Sequence, residues 1–369
     1  MGGAKPIDTY IPIARPQLGA EEEAAVLEVM RSGRLAQGER VKAFEEAFAG
    51  AVGARFAVAT ANGTLALELA LEAHGVGAGD EVITTPLTFI ASANAIVRRG
   101  ARPVFCDVDD TLNLDPRLVE AAIGQRTRAI LPVHLHGNPC DMNALTEIAS
   151  KHGLELIQDA CQAVGATILG TPLGTFGTAV YSLYATKNIT TGEGGMVVTN
   201  DPDIARKCAS VRHQGYVAGN DYLHDVVGCN FRLTEIQAAI GVCQLARLPE
   251  ITAKRRRNAA FFDEAIAADR FPRPRVLPEH LHVYHQYVLR IPSASTVDRG
   301  QVQKRLEAAG IGSAVHYPVP AHRQPAYADY RCQSLPCAEA AAAEILSIPV
   351  HPGLQAGHLE RIAGAFGKL

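Results

Sequence analysis

From about residue 55 the chain alternates short apolar runs with helical segments, and this alternation restricts the fold more than any other feature. Arg55-Phe-Ala-Val-Ala-Thr60 reads as a strand, followed by a helix through Leu65, Leu67, Leu69 and Leu71. Glu81-Val-Ile-Thr84 is the next strand, with a helix from Thr88 to Arg98. Pro103–Cys106, Arg128–Leu131 and Leu154–Ile157 follow, each spaced by a helical segment. Such alternation predicts a largely parallel sheet covered by helices on both faces. Ligands of these sheets sit beyond the carboxyl ends of the strands. Asn62-Gly63-Thr64, Thr88-Phe89, Asp159 and Lys187 all fall just after predicted strands, so they can line one crevice.

Near Pro249 the pattern changes. A long helix, Glu250 to about Ala268, leads into a second set of elements: a strand over His285–Ile291, a helix over Val297–Ala309 and a short strand over Gly312–His316. Helices around Ala338–Leu346 and His358–Phe366 complete the tail. A chain of 369 residues is long enough for two domains. The expected fold is therefore α/β. A large domain spans residues 1–249, with N-terminal helices Ala20–Met30 and Glu39–Phe48 at the junction, and a smaller C-terminal α/β domain spans 250–369.

Bulk properties exclude several function classes. With 47% hydrophobic and 20% charged residues, a net charge of −3 carries no electrostatic footprint for nucleic acid. The one basic cluster, Lys254-Arg-Arg-Arg257, reads as a solvated helix face. No apolar stretch approaches the roughly 18 residues of a membrane span, and Met1–Tyr10 lacks the apolar core of a signal peptide. Eight cysteines without C-x-x-C pairs suit reduced thiols, so a cytoplasmic protein is expected.

Lys187 lies between the apolar run Ala179–Tyr184 and the glycine-rich Gly192-Glu-Gly-Gly195. A lysine there either snorkels to solvent or is delivered into a pocket, where burial depresses its pKa and makes the amine fit for Schiff-base chemistry. Thr60-Ala-Asn-Gly-Thr64 runs from a strand into a helix start, and free N–H groups there can cradle a phosphate. Asp159 is equally a helix N-cap or a carboxylate that keeps a heterocycle nitrogen protonated. Phe89 is a core residue or a ring that stacks on a planar cofactor. Ser182 can add a hydroxyl to a phosphate site. Together these are the set that pyridoxal phosphate needs.

The chain resembles the DegT/DnrJ/EryC1/StrS family of pyridoxal-phosphate-dependent sugar aminotransferases. The runs that carry the resemblance are Ser32–Gly38, Asn62–Leu67, Gly79–Thr84, Thr88-Phe89, Pro132-Val-His-Leu-His-Gly137, Asp159-Ala-Cys-Gln162, Ser182–Asn188 and Gly192–Gly195. Asn230-Phe-Arg-Leu-Thr-Glu235, Gln237–Gly241, Val315-His-Tyr-Pro318 and Ser347-Ile-Pro349 continue them to the end of the chain. The resemblance implies the aspartate aminotransferase (type I) fold and a set of roles. Lys187 would bind the cofactor as a Schiff base and shuttle the proton. Asp159 would pair with the pyridine nitrogen, Gln162 with the ring hydroxyl, and Phe89 would stack on the ring. Gly63, Thr64 and Ser182 would hold the phosphate, helped by Asn230 and Arg232 of a neighbouring subunit in a homodimer. His316 and Tyr317 would approach the sugar or its diphosphate. The amino group would come from an amino acid, L-glutamate foremost, and pass to a nucleotide-linked keto-sugar. C4 of a 4-keto-6-deoxy sugar is the leading acceptor, with C3 of a 3-keto sugar, a keto-cyclitol, or a non-catalytic regulatory role as alternatives.

Two departures from the family pattern fall near the expected substrate: Arg34 stands where tryptophan is common, and the order His213-Gln214-Gly215 differs. A subset of the family has histidine in place of the lysine and performs dehydration; Lys187 places the chain outside it. His134 and His136 could present two metal ligands, but no third ligand has suitable spacing. His322, His351 and His358 are expected at the surface, and Cys161 is expected to be a packing residue.

Overall fold

The computed structural model describes residues 10–217, 219–330 and 334–367. The expectations for the first nine residues and for Cys332 lie outside the described residues. Seven strands form the main sheet: β1 (Phe56–Thr60), β2 (Glu81–Thr84), β3 (Arg102–Phe105), β4 (Thr127–Leu131), β5 (Glu155–Asp159), β6 (Thr178–Ser182) and β7 (Gly195–Thr199). Their spatial order is β1-β7-β6-β5-β4-β2-β3. The sheet is parallel from β3 through β6, and β7 runs antiparallel to both of its neighbours. The strand–helix alternation does not anticipate β7, because its start lies inside the glycine-rich run. Its residues nonetheless behave as core: Val197 pairs with Val58 on one side and Val180 on the other, and Met196, Val197 and Val198 are all buried.

Both faces of the sheet are covered, by α1 (Ala20–Ser32), α2 (Glu39–Val52), α3 (Gly63–Ala73), α4 (Ala91–Arg98), α5 (Met142–His152) and α6 (Pro202–Arg212) in whole or part. Alternate side chains of a strand reach opposite cores. Met196 and Val198 join Phe44, Phe48 and Tyr181, whereas Val197 joins Leu67, Leu71 and Val180. Each such aliphatic or aromatic burial contributes about 1.5–3 kcal/mol relative to exposure. Local signals begin and end these helices: Asn62 and Asp141 accept backbone N–H bonds at the starts of α3 and α5, and Gly53 and Gly153 end α2 and α5 in the left-handed conformation.

The start of α2 is capped from far away. Its N-cap is Gly38, which has no side chain, and the carboxylate of Glu235 accepts from the Gly38, Arg40 and Val41 N–H groups at 2.9 Å each. Glu235 opens α7 (Glu235–Ala246), on which both α1 and α2 pack.

The C-terminal part contains α8 (Leu248–Ala265), β8 (Tyr287–Arg290), α9 (Arg299–Ala308), α10 (Pro336–Glu344), β9 (Ile345–Ile348) and α11 (Ala356–Phe366). β8 and β9 pair antiparallel over a core that includes Phe262, Tyr287, Leu289, Leu306, Ile348 and Phe366. Ile11 joins this core and bridges Ile311. We propose that the domain division lies at 249/250, in the first turn of α8.

Several expectations are corrected here. Residues 312–316 form no strand beyond a single bridge from Ala314 to Ser347, and Leu346 belongs to β9 rather than to the helix before it. The basic run on α8 is not all solvated: Arg255 is buried and donates to the Tyr284 and His285 carbonyls at 3.0 and 3.3 Å. His322 and His351 are buried as well, the former 2.9 Å from Glu339 Oε1. Contacts between distant segments decide these positions, and no local pattern encodes them.

Candidate active site

The predicted crevice forms at the carboxyl ends of β1, β5 and β6. Asp159 is the last residue of β5 and is buried. Its carboxylate is held from two sides, by Ser92 Oγ donating to Oδ2 at 2.6 Å and by the Cys161 backbone N–H donating to Oδ1 at 3.1 Å. A charged acceptor with two donors keeps one orientation. Asp159 is thus fixed and does not cap a helix. Ser92, fully buried on α4 and also 2.9 Å from Thr88 Oγ1, was missed from the sequence. Only its position one turn beyond Phe89 could have drawn attention to it.

A cradle lies opposite. Gly63 opens α3, and a β-carbon built there would stand 2.9 Å from Ser182 Cβ, 3.2 Å from Ser182 Oγ and 3.2 Å from Cys161 Sγ. A side chain at position 63 would therefore fill the space between the helix start and the end of β6. With glycine the first N–H groups of the helix, Thr64 among them, stay open to an anion. Cys161 is packing in this floor, and burial pushes its thiol well above the usual range.

Lys187 stands not at the end of β6 but five residues past Ser182, in the turn leading to β7. Hydrogen bonds brace the turn: Leu183 N to the Gly194 carbonyl at 2.8 Å, Thr191 N to the Leu183 carbonyl at 3.0 Å, and Asn188 Nδ2 to the Val283 carbonyl at 3.0 Å. Burial lowers the proton affinity of the Lys187 amine below the ordinary lysine value, with Cys161 and Asp159 opposing the shift.

Gln162 is buried, and its Oε1 accepts the His136 N–H at 2.7 Å while its Nε2 donates to Tyr317 Oη at 3.2 Å. His136 Nε2 in turn meets the His316 carbonyl at 2.9 Å. Phe89 is 54% exposed, with its ring centroid 5.8 Å from that of Tyr317. It is not core. An aromatic face left open beside Asp159 and Gln162 can cover a planar ring.

The other expected residues are placed less directly. The Ala61 N–H donates to the Phe231 carbonyl at 2.8 Å, which sets the 230–232 segment against the β1–α3 turn. Asn230 is exposed there, and Arg232 Nη1 lies 2.7 Å from His213 Nδ1. Arg34 is exposed just past α1, with its backbone N–H on Ser32 Oγ at 3.1 Å. The structure gives its side chain no contact with the crevice. His134 bonds Gln158 and the Cys140 N–H, and among the described residues no three His, Cys, Asp or Glu side chains are grouped to hold a metal.

A fixed carboxylate, an open helix start and an amine of lowered proton affinity lie at one sheet edge, an arrangement suited to cofactor-dependent group transfer. The chain matches the model of the DegT/DnrJ/EryC1/StrS aminotransferase family over residues 16–367, and it belongs to that family. It is 42% identical over 365 residues to GDP-perosamine synthase of Caulobacter vibrioides, covering 97% of this chain and 98% of that one. It is 44% identical over 347 residues to a pleiotropic regulatory protein of Geobacillus stearothermophilus, covering 92% and 91%. The crystal structure of S. venezuelae DesV in complex with a ketimine intermediate superposes with a TM-score of 0.90 at 39% identity, covering 95% of this chain and 94% of that one. The fold is that of these aminotransferases.

Proposed function

We propose that this chain uses pyridoxal phosphate to transfer an amino group from an amino acid, L-glutamate foremost, to a nucleotide-linked keto-sugar. The residues present fit the cofactor. The Gly63 cradle, which one β-carbon would close, suits a phosphate, and the Asp159 carboxylate suits a protonated ring nitrogen. The observation that carries the reading is Lys187. Lys187 is half-buried, burial lowers the proton affinity of its amine, and among the described residues that amine has no hydrogen bond or ion pair.

When bound, pyridoxal phosphate supplies an electron sink for the carbon next to the transferred nitrogen. Lys187 would hold the cofactor covalently. Its Nζ, depressed in proton affinity, can take the proton removed from the amino donor and return one to the acceptor carbon. Asp159 would keep the ring nitrogen protonated, held for that purpose by Ser92 and the Cys161 N–H. Gln162 would donate to the ring hydroxyl and Phe89 would cover the ring. Gly63, Thr64 and Ser182 would hold the phosphate, with Asn230 and Arg232 of the partner subunit in a homodimer. His316 would face the acceptor.

The name of the Caulobacter relative, GDP-perosamine synthase, supports a nucleotide-linked sugar as acceptor. Amination at C4 of a 4-keto-6-deoxy sugar is the specific form we propose. The regulatory name of the Geobacillus relative raises a non-catalytic role, but Lys187, Asp159 and Gln162 are all retained here. The test is spectroscopic. Protein supplied with pyridoxal phosphate should develop a visible band that glutamate bleaches, and a keto-sugar nucleotide of the right class should restore it. A Lys187→Ala variant that turned over glutamate and keto-sugar at the wild-type rate would sink the proposal.

A further inference from the structure

The loop carrying His316 and Tyr317 comes from the C-terminal part of the chain and is tied to the crevice at two points. One is His136 Nε2 on the His316 carbonyl at 2.9 Å; a carbonyl only accepts, so Nε2 carries the proton. The other is Gln162 Nε2 donating to Tyr317 Oη at 3.2 Å. The loop is anchored behind by His316 Nδ1 and Ser347 Oγ at 2.9 Å. The Gln162 amide cannot be turned round, because its Oε1 accepts the His136 backbone N–H at 2.7 Å and only the oxygen can do so. Its nitrogen therefore has two N–H groups to place. One goes to Tyr317, and the second is free for whatever lies in front of it.

We propose that Tyr317 is a positioning residue for the cofactor: its hydroxyl oxygen holds the Gln162 amide so that the second N–H points at the cofactor's ring oxygen. This rests on the reading of Gln162 as a cofactor ligand, and it replaces the role of sugar contact that the sequence suggests for Tyr317. The His136 end of this chain is buried, with Gln162 6% exposed, and the half-buried Tyr317 closes it on the crevice side. Without the tyrosine oxygen one amide N–H has no acceptor, and the side chain tilts to find another. The donor at the ring oxygen then weakens. Since that donor favours the anionic form of the oxygen, its loss shifts the protonation equilibrium of the bound cofactor toward higher pH.

The experiment is a pH titration of the visible band of the cofactor-loaded protein, carried out on wild type, Tyr317→Phe, Gln162→Leu and the double variant. Tyr317→Phe keeps the ring against Phe89, and thermal unfolding confirms that each variant is folded. Tyr317→Phe and Gln162→Leu should each raise the midpoint, by about 0.5–1 pH unit. The double variant should shift no further than Gln162→Leu alone, because the tyrosine acts only through the amide. If Gln162→Leu moves the midpoint and Tyr317→Phe leaves it in place, this proposal is wrong and the reading of Gln162 stands. Additive shifts would mean that Tyr317 touches the cofactor itself, which also overturns it. If Gln162→Leu has no effect, or wild type develops no band, the underlying reading of the site fails.

Discussion

Replacing Gly63 with alanine tests the anion cradle most directly. The backbone at Gly63 is not left-handed, so alanine fits the local conformation. The new β-carbon would meet Ser182 Cβ at 2.9 Å and both Ser182 Oγ and Cys161 Sγ at 3.2 Å, against 3.4–4 Å for ordinary contact. The neighbours must therefore part by about half an ångström. Such overpacking costs about 1–3 kcal/mol, and alanine returns up to about 1 kcal/mol through helix propensity. The net cost of about 0–3 kcal/mol leaves the protein folded. Cofactor binding suffers more, because the displaced groups are the ones that would face the phosphate. Losing one hydrogen bond to a charged group is worth about 1.5–3 kcal/mol, or roughly 10- to 150-fold in affinity. The assay titrates apoprotein with pyridoxal phosphate, following the visible band, in parallel with thermal unfolding. Gly364→Ala is the control: it lies in α11 with nothing within 4 Å of the added carbon, so affinity should hold and stability should not fall. If Gly63→Ala bound the cofactor within about twofold of wild type, the phosphate would not sit at this helix start.

Lys187→Ala should abolish both the visible band and transamination while leaving the melting temperature nearly unchanged, measured by absorbance and calorimetry. Mixing Lys187→Ala with Arg232→Ala tests the shared site: if the partner supplies Arg232, each hybrid dimer has one intact site of two, and a randomly reassorted mixture regains roughly a quarter of wild-type activity. If Arg232 serves its own chain, mixing restores nothing. Buried histidines make stability fall in acid. Desolvation lowers His134 to about 4 and both His136 and His282 to about 3, from an ordinary 6.5. Below 6.5 the unfolded chain binds protons that the folded one refuses. The stabilisation is therefore complete above that pH and is lost toward pH 3–4, by up to about 1.4 kcal/mol per pH unit for each histidine. Denaturant unfolding at pH 7.5 and pH 5 measures it, and equal stabilities would refute the assignment of neutral buried rings.

Much of the molecule was legible in the chain. The runs at 56–60, 81–84, 127–131 and 178–182 read as strands because both faces of the sheet are covered: their buried stretches, such as Val82-Ile83 and Ala129-Ile-Leu131, are apolar, while Glu81 and Arg128 stand at the less buried starts. Asp159, Gly63, Phe89 and Lys187 could be placed at one edge because a parallel sheet delivers each strand end to the same side. Only tertiary structure decided the rest. The antiparallel β7 was hidden because Gly195 reads as turn chemistry, whereas it is glycine so that the strand can pass the Asn62 carbonyl, which any side chain would strike. Ser92, Glu235 and Arg255 carry polar groups whose partners lie 67, 197 and 29 residues away. No local periodicity records such a pairing. Tyr317 is the sharpest case: the chain places it in a family motif, but whether its hydroxyl faces a sugar or the Gln162 amide is set by how the C-terminal loop docks. Local pattern determines which segments are strands and where their ends collect; the three-dimensional packing of distant segments determines which polar atoms find each other there.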